Sequence, residues 1–331
     1  MKINAAIIGM GIGQKHFEAI EGYKNSEVTI ICEKDKKKIL QLKKKYPQKQ
    51  IVSNENEIFK NKEINLVSIA SYDDSHFRQI IKSIKTKKNI IIEKPMCLKK
   101  NELKKINFLL KKNPKIKMIS NLVLRTNDLF INFKKDINIK KVLYIEADYL
   151  WGRKYKLSEW RSRIKDYSIT LGAGIHMFDL IMWFLKSKPN SVQAFGTKKG
   201  NIGTSFKKVS LAVYILNFPN NIIVKITANA AAVFNHFHEV KIYQQDKTLV
   251  NSRMGAFSFT QSKNDQKIKK INFEYPDKKN RKKLIQNFID YLKKDKVEQI
   301  MTLKEQINLM SVCFAADESL KFGKKIMVRY L

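Results

Sequence analysis

The sequence predicts two α/β domains: a parallel α/β domain first, then an α+β domain with a large, mostly antiparallel open-faced sheet. Over the first 120 residues, short apolar runs alternate with lysine-studded helical patterns, which is typical of βαβ units. After residue 121, long strands are joined by short turns, which indicates antiparallel pairing. Because single cores rarely exceed roughly 250–300 residues, we expect domains over 1–121 and 122–331.

In the first domain four of the six predicted strands are followed by a helical pattern, as expected for a parallel sheet. The strands are Ile3–Ile8, Val28–Cys32, Ile51–Val52, Leu66–Ala70, Ile90–Ile92 and Ile116–Ile119, and the helices are Gln14–Glu21, a segment ending at Tyr46, Ser75–Thr86 and Lys99–Lys112.

In the second domain a turn at Asn217–Asn221 separates two long strands and predicts a hairpin. The strands are Val142–Tyr149, Ser191–Gly196, Val209–Phe218, Ile222–Ala230 and His238–Gln244, and the helices are Gly174–Lys186, Arg281–Lys293 and Leu303–Phe322. Broad apolar sheet faces are rarely left in water, so we expect this domain to form a homo-oligomer, a dimer or a tetramer.

The formal net charge of +35 suggests nucleic acid as a partner, but the distribution of the charge argues against it. Only 8 of the 65 basic residues are Arg, and the lysines are spread over the whole chain. Arg is the residue that reads bases and clamps phosphates. We therefore interpret the lysines as solvated surface that can attract an anionic small molecule, and we expect no nucleic-acid partner.

The cysteines and the apolar runs indicate in which cellular compartment the protein is expected. Cys32, Cys97 and Cys313 are far apart and odd in number, so neither a disulfide framework nor a zinc site is indicated. No apolar run approaches the ~20 residues that a bilayer span needs, and the N-terminus has no signal-peptide cleavage site. We expect a cytoplasmic protein with no membrane partner and no metal.

A glycine loop follows the first strand, with the sequence Gly9-Met10-Gly11-Ile12-Gly13. Strand, glycines and helix in this order form a pyrophosphate site, in which the helix N-terminus faces the phosphates. The G-x-G-x-G spacing is one residue shorter than G-x-G-x-x-G, and the alternative is a glycine turn without a ligand. The flanking strand and helix favour dinucleotide binding.

An acidic residue, Glu33, ends the second strand at the distance at which a carboxylate binds the adenosine ribose. A carboxylate repels a 2′-phosphate, so Glu33 favours NAD as the cofactor. Lys34, Lys36 and Lys37 lie beside it and could accept that phosphate, which leaves NADP possible.

Two further segments carry groups that suit proton transfer. Glu93-Lys94-Pro95 ends a strand, and His176 and Asp179 share one face of a helix's first turn. Taken alone, each segment is as compatible with an exposed lysine or a structural pair as with a site.

Together these segments resemble the Gfo/Idh/MocA oxidoreductases, the glucose–fructose oxidoreductase and inositol dehydrogenase family. Four motifs in the same order carry the resemblance: the glycine loop with its trailing His16, the run from Ile69 to His76, the E-K-P signature Glu93-Lys94-Pro95, and Gly174-Ile175-His176-Met177-Phe178-Asp179. The resemblance implies a Rossmann domain followed by a substrate-binding and oligomerisation domain.

The resemblance also implies roles for individual residues. Lys94 donates to the reacting oxygen, His176 is the general acid/base, and Asp179 orients the substrate or the imidazole. Ser71, His76, Glu93, Lys94 and Pro95 are expected to contact the cofactor, with packing as the alternative for His76. The Lys94–Pro95 bond is often cis in this family. The expected reaction transfers a hydride between NAD(P) and a secondary alcohol or ketone of a sugar, cyclitol or sugar nucleotide.

One position departs from the family pattern. Many sugar dehydrogenases of the family carry an Asp four residues before the histidine, and here that residue is Gly172. Catalysis would then depend more heavily on Lys94 and His176. The alternative function is a dinucleotide-binding regulatory protein without turnover.

Further substrate contacts are expected in an aromatic and basic loop. Trp151, Arg153, Arg161 and Arg163 precede the histidine helix, and Arg binds carboxylate or phosphate bidentately. The alternative is a loop that packs over the domain junction. Arg125 lies where the family often carries an Arg and is a further candidate.

Two more histidines, His236 and His238, lie two apart on a predicted strand and so point to one face. A metal site needs at least three ligands, and the sequence offers no convincing third. We interpret the pair as a sheet face at an interface or at the rim of a pocket.

Overall fold

The predicted pattern is realised in a computed structural model of the protein, which describes residues 1–263, 265–276, 279–294 and 297–331. The strands are β1 (Ile3–Ile8), β2 (Ser26–Cys32), β3 (Gln50–Val52), β4 (Leu66–Ile69), β5 (Asn89–Ile92), β6 (Met118–Ser120), β7 (Val142–Leu150), β8 (Ser191–Thr197), β9 (Leu211–Asn217), β10 (Ile223–Asn229), β11 (Phe237–Gln244), β12 (Lys247–Ser252), β13 (Gly255–Ser262), β14 (Asp265–Ile271) and β15 (Ile326–Met327). The helices are α1 (Gly13–Ile20), α2 (Lys36–Lys45), α3 (Asn56–Lys60), α4 (Asp73–Lys85), α5 (Lys100–Lys112), α6 (Asp128–Asp136), α7 (Trp160–Arg163), α8 (Ile175–Leu185), α9 (Asn280–Leu292) and α10 (Leu303–Phe322).

The chain divides into two units, and the division differs from the predicted single boundary after residue 121. The first unit comprises Met1–Thr126 and Lys278–Gln306, and the second comprises Asn127–Asp277 and Ile307–Leu331. The first unit includes α9 because this helix buries an apolar face in the core around β1. That face consists of Leu284, Ile285, Phe288 and Ile289.

The first unit contains a six-stranded parallel sheet, which confirms the predicted parallel domain. Its strand order is β3-β2-β1-β4-β5-β6. The strand order reverses between β1 and β4, and in sheets of this kind a ligand binds at the carboxyl ends of the strands beside that point. The glycine loop follows β1 directly and therefore lies at this position.

The second unit contains a nine-stranded sheet in the order β14-β13-β12-β11-β7-β10-β9-β8-β15. All neighbouring strands are antiparallel except β7 and β10, which confirms the mostly antiparallel sheet. The predicted turn between β9 and β10 is a short helical turn at Pro219–Asn221, with Asn220 in the left-handed region at φ 61°.

Strands β12, β13 and β14 are absent from the sequence prediction. β14 is Asp-Gln-Lys-Ile-Lys-Lys-Ile and is exposed over almost its whole length, so its sequence has little apolar alternation. Charged side chains are a common protection of edge strands. A prediction that relies on alternating buried apolar residues therefore misses this strand.

Candidate functional site

The three glycines of the loop have three different environments. Gly9 has φ +87°, and a Cβ there would lie 2.7 Å from the carbonyl oxygen of Ala70. A Cβ on Gly13 would lie 3.0 Å from Ile7, where α1 packs on β1, whereas a Cβ on Gly11 would meet no atom within 4 Å. The loop therefore turns at its first glycine, packs at its third and leaves open space at its second. Ile12 precedes α1, and no side chain caps that helix N-terminus.

Glu33, the predicted ribose ligand, lies against the glycine loop. Its carboxylate Oε2 accepts a hydrogen bond from the Met10 amide at 3.0 Å, and Oε1 accepts from the amides of Lys34 at 2.8 Å and Asp35 at 3.1 Å. These bonds hold the carboxylate at the tip of β2, next to the glycines. Lys34, Lys36 and Lys37 are exposed around it.

A buried polar network lies under the E-K-P turn. The ring of His16, at the start of α1, lies 2.7 Å from the Ser68 hydroxyl and 3.1 Å from the Glu93 carboxylate. The Asn121 amide donates to the same Glu93 oxygen at 2.6 Å, and Arg281 from α9 approaches it to 3.7 Å. These contacts bind Glu93 to the protein itself and fix the turn, and its contact with the cofactor stays a prediction.

The electrostatic environment of Glu93 keeps its carboxyl ionised. Burial alone would raise its pKa, but the hydrogen bond and charge of His16, the charge of Arg281 and the Asn121 amide outweigh burial and lower the pKa to about 2. The E-K-P turn is therefore anchored by a fixed negative charge, and Lys94 follows the anchored residue directly.

His76 clamps two loops at the carboxyl ends of β4 and β5. One ring nitrogen lies 2.7 Å from the Pro95 carbonyl and the other 3.1 Å from the Ser71 carbonyl. The ring is fully buried, so it holds the two loops together. The Ser71 hydroxyl donates to Gln79 at 2.6 Å, and the Lys94–Pro95 peptide is cis, as the resemblance implies.

Arg125 is buried in an ion pair within the first unit. It is 4% exposed, and its guanidinium binds the Glu305 carboxylate at 2.6 Å and the Ile300 carbonyl at 3.3 Å. The ion pair joins the two chain segments of the first unit, and the contact of Arg125 with a substrate stays a prediction.

In the second unit His176 and Asp179 lie at the start of α8, as predicted. The preceding Thr170–Gly174 is a π-helical turn, a local widening that is frequent at functional sites. Asp179 is buried and His176 is half-buried. The imidazole is therefore partly accessible at the point where the helix begins.

The family pattern has an acidic side chain where this chain has Gly172. The space beside this glycine is filled by a residue from outside the helix. A Cβ at this position would lie 2.0 Å from the hydroxyl oxygen of Tyr167. Tyr167 is buried, and its ring packs edge-on against Trp160 and Phe206. A tyrosine hydroxyl thus occupies the space of the missing side chain.

The sheet surrounds His176 with aromatic rings that the sequence did not predict to be together. Tyr149 on β7 stacks parallel on the His176 ring, with centroids 5.5 Å apart and an interplanar angle of 8°. His236 and His238 lie edge-on to the same tyrosine at 5.2 and 4.9 Å. We call Tyr149, His176, His236 and His238 the histidine cluster. Its members are distant in sequence, and only the spacing of the last two hinted at it.

The aromatic and basic loop contributes unequally to this region. Arg161 stacks on Trp160 at 4.1 Å and on the buried Trp151 at 4.9 Å, and it pairs with Glu159 at 3.7 Å. Burial raises the pKa of the Tyr149 hydroxyl to about 12, and the charges of Arg153 and Arg161 oppose that rise. The two positive charges therefore favour the ionised form of the Tyr149 hydroxyl, against the effect of burial.

Arg153 and Arg163 are exposed. The substrate contacts of Arg153, Arg161 and Arg163 stay a prediction.

Other candidate features lie apart from these residues. A cavity of about 650 Å³ is formed by α6 and β12–β14, and its lining includes Asn132, Lys247 and Lys269 but none of the predicted site residues. Within the described parts of the chain, no three His, Cys, Asp or Glu residues are placed to hold a metal ion. In those same parts, no helix is long and apolar enough to cross a membrane.

Comparison with protein families gives two adjoining matches. Residues 3–121 match the model described as the oxidoreductase family with an NAD-binding Rossmann fold, GFO_IDH_MocA, and residues 138–250 match the GFO/IDH/MocA C-terminal domain. The chain belongs to the GFO/IDH/MocA oxidoreductase family. Its first unit is accordingly an NAD-binding Rossmann domain.

Among curated proteins this chain is similar to the protein named "Putative oxidoreductase YteT" of Bacillus subtilis, with 26% identity over 187 residues. It is also similar to the uncharacterized oxidoreductase YdgJ of Escherichia coli, with 26% identity over 111 residues. The matches cover 51% and 33% of this chain, and 42% and 31% of those relatives.

Among solved structures, scyllo-inositol dehydrogenase from Lactobacillus casei, with bound NAD(H) and scyllo-inositol, matches with a TM-score of 0.82 and 15% identity. Myo-inositol 2-dehydrogenase from Lactobacillus plantarum matches with a TM-score of 0.81 and 16% identity. These alignments cover 99% of this chain and 99% and 100% of the other two. At such identities they establish the shared fold.

Proposed function

We propose that the protein transfers a hydride between NAD and a secondary alcohol or ketone of a sugar, cyclitol or sugar nucleotide. The observation that carries the proposal is the half-buried His176, stacked on Tyr149 at the start of α8 in an NAD-binding oxidoreductase. The relatives crystallised with NAD(H) and inositols support this substrate class.

NAD, when bound, would supply the hydride acceptor. The chain's own residues would bind the cofactor, orient the substrate and move the proton. The open space at Gly11 and the uncapped start of α1 suit the pyrophosphate, and Glu33 suits the ribose. His176 takes the hydroxyl proton of the alcohol, Asp179 orients the imidazole or the substrate, and Lys94 donates to the reacting oxygen.

Arg153 and Arg161, with Trp151, are proposed to contact the substrate. Arg161 already packs on two indole rings, so little side-chain entropy is lost when its guanidinium binds an oxygen ligand. A sugar nucleotide offers phosphate oxygens to these groups, and a neutral cyclitol offers hydroxyls.

The test is a titration of the purified protein with NADH and NADPH, followed by nicotinamide fluorescence. A polyol screen with NAD⁺ then covers myo-inositol, scyllo-inositol, glucose, glucuronate and UDP-glucose. We expect micromolar binding of NADH, tighter than NADPH, and turnover of at least one polyol. Cofactor binding without turnover of any member of the screen would contradict the proposed reaction.

A second candidate, a dinucleotide-binding regulator without turnover, is favoured by one observation. The Tyr167 hydroxyl fills the place of a side chain at Gly172, so no carboxylate stands one helical turn before His176. In that case the protein would still bind NADH. It would reduce no ketone, and it would exchange no substrate hydrogen for solvent deuterium.

A homo-oligomer, a dimer or a tetramer, is also proposed, together with a cytoplasmic location. The outer face of the second unit's sheet carries half-exposed apolar side chains on β9, including Val213 and Ile215, and an ion pair between Lys225 and Asp148 at 2.9 Å. Light scattering at micromolar concentration tests the proposal, and a monomer would contradict it.

A further inference from the structure

A second histidine of the cluster, His238, is fixed by a tyrosine from the loop after β14. The Tyr275 hydroxyl and the His238 Nδ1 are hydrogen-bonded to each other. The Tyr275 ring is held edge-on by Phe130 and by Phe237, each with centroids 5.2 Å away. The Asn251 amide donates to the His238 carbonyl at 2.8 Å. Backbone and ring are therefore both held in place.

The direction of this hydrogen bond follows from the surroundings. Burial first, and the neighbouring His236 second, lower the pKa of His238 well below its usual value, so the ring is neutral. Burial keeps the Tyr275 hydroxyl protonated, because its pKa is raised well above the usual value. A buried hydroxyl proton needs an acceptor, and the His238 Nδ1 is its partner.

The tautomer of His238 is therefore set. A neutral imidazole that accepts at Nδ1 carries its proton on Nε2. Within the described part of the chain, the Tyr275 bond is the single hydrogen bond of this imidazole. The residue is 8% exposed, and Nε2–H is the donor that the ring can offer to a further partner.

The His238 ring lies beside the ring of the proposed general base. The rings of His176 and His238 have centroids 6.3 Å apart and are inclined by 64°, with Tyr149 packed against both. Hydrogen bonds reach about 2.7–3.2 Å between heavy atoms. Two ring edges at this separation can therefore hold two oxygens on neighbouring carbons.

We propose that His238 is a specificity-determining residue that donates from Nε2 to the substrate oxygen next to the reacting one. Tyr275 is its positioning residue. The substrate is thus a vicinal diol, or in the reverse direction an α-hydroxy ketone. This inference rests on the proposed function, because it assigns the neighbouring oxygen relative to the one that His176 serves.

The experiment uses the full chain loaded with NAD⁺ and the polyol of the screen that has the highest kcat/KM. A matched analogue lacks the hydroxyl on the carbon next to the oxidised one. We expect His238→Leu to lower kcat/KM for the diol about tenfold, mainly through KM, and to leave the analogue's value unchanged. His238→Gln, whose amide can donate, should recover most of the loss.

Tyr275→Phe provides the variant that keeps the imidazole and its packing. It removes the hydrogen bond that sets the tautomer, so we expect a loss of about threefold for the diol and none for the analogue. Equal losses for diol and analogue in all three variants would assign the pair a packing role and overturn the inference.

Imidazole nitrogen NMR of the wild-type holoprotein tests the premise without turnover. We expect His238 to be neutral with its proton on Nε2, and Tyr275→Phe to shift the tautomer. A proton on Nδ1 would overturn the inference even if polyols are oxidised. Absence of polyol turnover with the expected tautomer present would instead contradict the proposed reaction.

Discussion

The polar groups of the two units differ in how they are bound. In the first unit the carboxylates of Glu33 and Glu93 and the ring of His76 are tied to neighbouring groups of the protein. In the second unit His176 and His238 pack among aromatic rings, and His238 keeps a ring nitrogen for another partner. The first arrangement holds loops at the ends of strands, and the second presents hydrogen-bonding groups. Binding and chemistry therefore make different demands on the same residue types.

The largest expected effect on catalysis is that of replacing Lys94, the residue of the first unit that is proposed to donate to the reacting oxygen. Lys94→Ala should lower kcat by about 10³-fold, the scale for loss of one donor to the reacting oxygen. NADH affinity should change little, because the glycine loop is untouched. Steady-state kinetics and fluorescence titration measure the two quantities. Lys115→Ala, at an exposed position, is the matched control, and an equal loss there would refute the assignment.

His176→Ala should lower kcat by about 10²-fold and flatten its pH dependence, because the base that accepts the proton is gone. His236→Ala removes a neighbouring ring of the histidine cluster and should keep the wild-type shape of the pH profile. The measurement is kcat as a function of pH for both variants. A wild-type profile in His176→Ala would break the contrast between the two units.

The buried carboxylate Glu93 predicts a pH-dependent stability. Its folded pKa of about 2 lies below the ordinary value of 4.5, so its stabilisation is complete above pH 4.5 and is lost as the pH falls towards 2. Glu93→Gln should remove on the order of 3 kcal/mol at pH 7 and little near pH 2. Urea unfolding at several pH values measures this. A constant difference between variant and wild type would contradict the account.

Two glycines of the loop should behave differently. Gly9→Ala places a Cβ 2.7 Å from a carbonyl oxygen at a positive φ, so we expect a loss of about 1–3 kcal/mol in unfolding free energy. Gly11→Ala meets no atom within 4 Å, so its stability should be unchanged while NADH affinity falls. Thermal unfolding and titration compare them. An unchanged NADH affinity in Gly11→Ala would show that the open space does not receive the pyrophosphate.

The same contrast explains what could be predicted from the sequence. The glycine loop, the E-K-P turn and the start of α8 are each a contiguous segment. Their residue types and spacing are therefore enough to mark them as motifs in the sequence. The ion pair of Arg125 with Glu305 was not predicted, because the two residues are 180 positions apart. The histidine cluster is equally non-local, since Tyr149, His176 and Tyr275 come from a strand, a helix and a loop.

Burial patterns set a second limit. α9 was predicted as a helix, but its amphipathic pattern does not say which core receives Leu284 and Phe288, and the structure places them with β1. β14 was missed because five of its seven residues are polar or charged. Strands at an edge of a sheet lack the apolar alternation on which the prediction depends.

The most direct test of the central claim follows the hydride itself. The protein is mixed with NAD⁺ and the best polyol of the screen, deuterated at the carbon to be oxidised, and the nicotinamide is examined by mass spectrometry and NMR. Direct transfer predicts deuterium at C4 of the reduced nicotinamide and a ketone from the polyol. Bound NAD⁺ that gains no deuterium, with the polyol recovered unchanged, would contradict the account and favour a regulator that binds the dinucleotide.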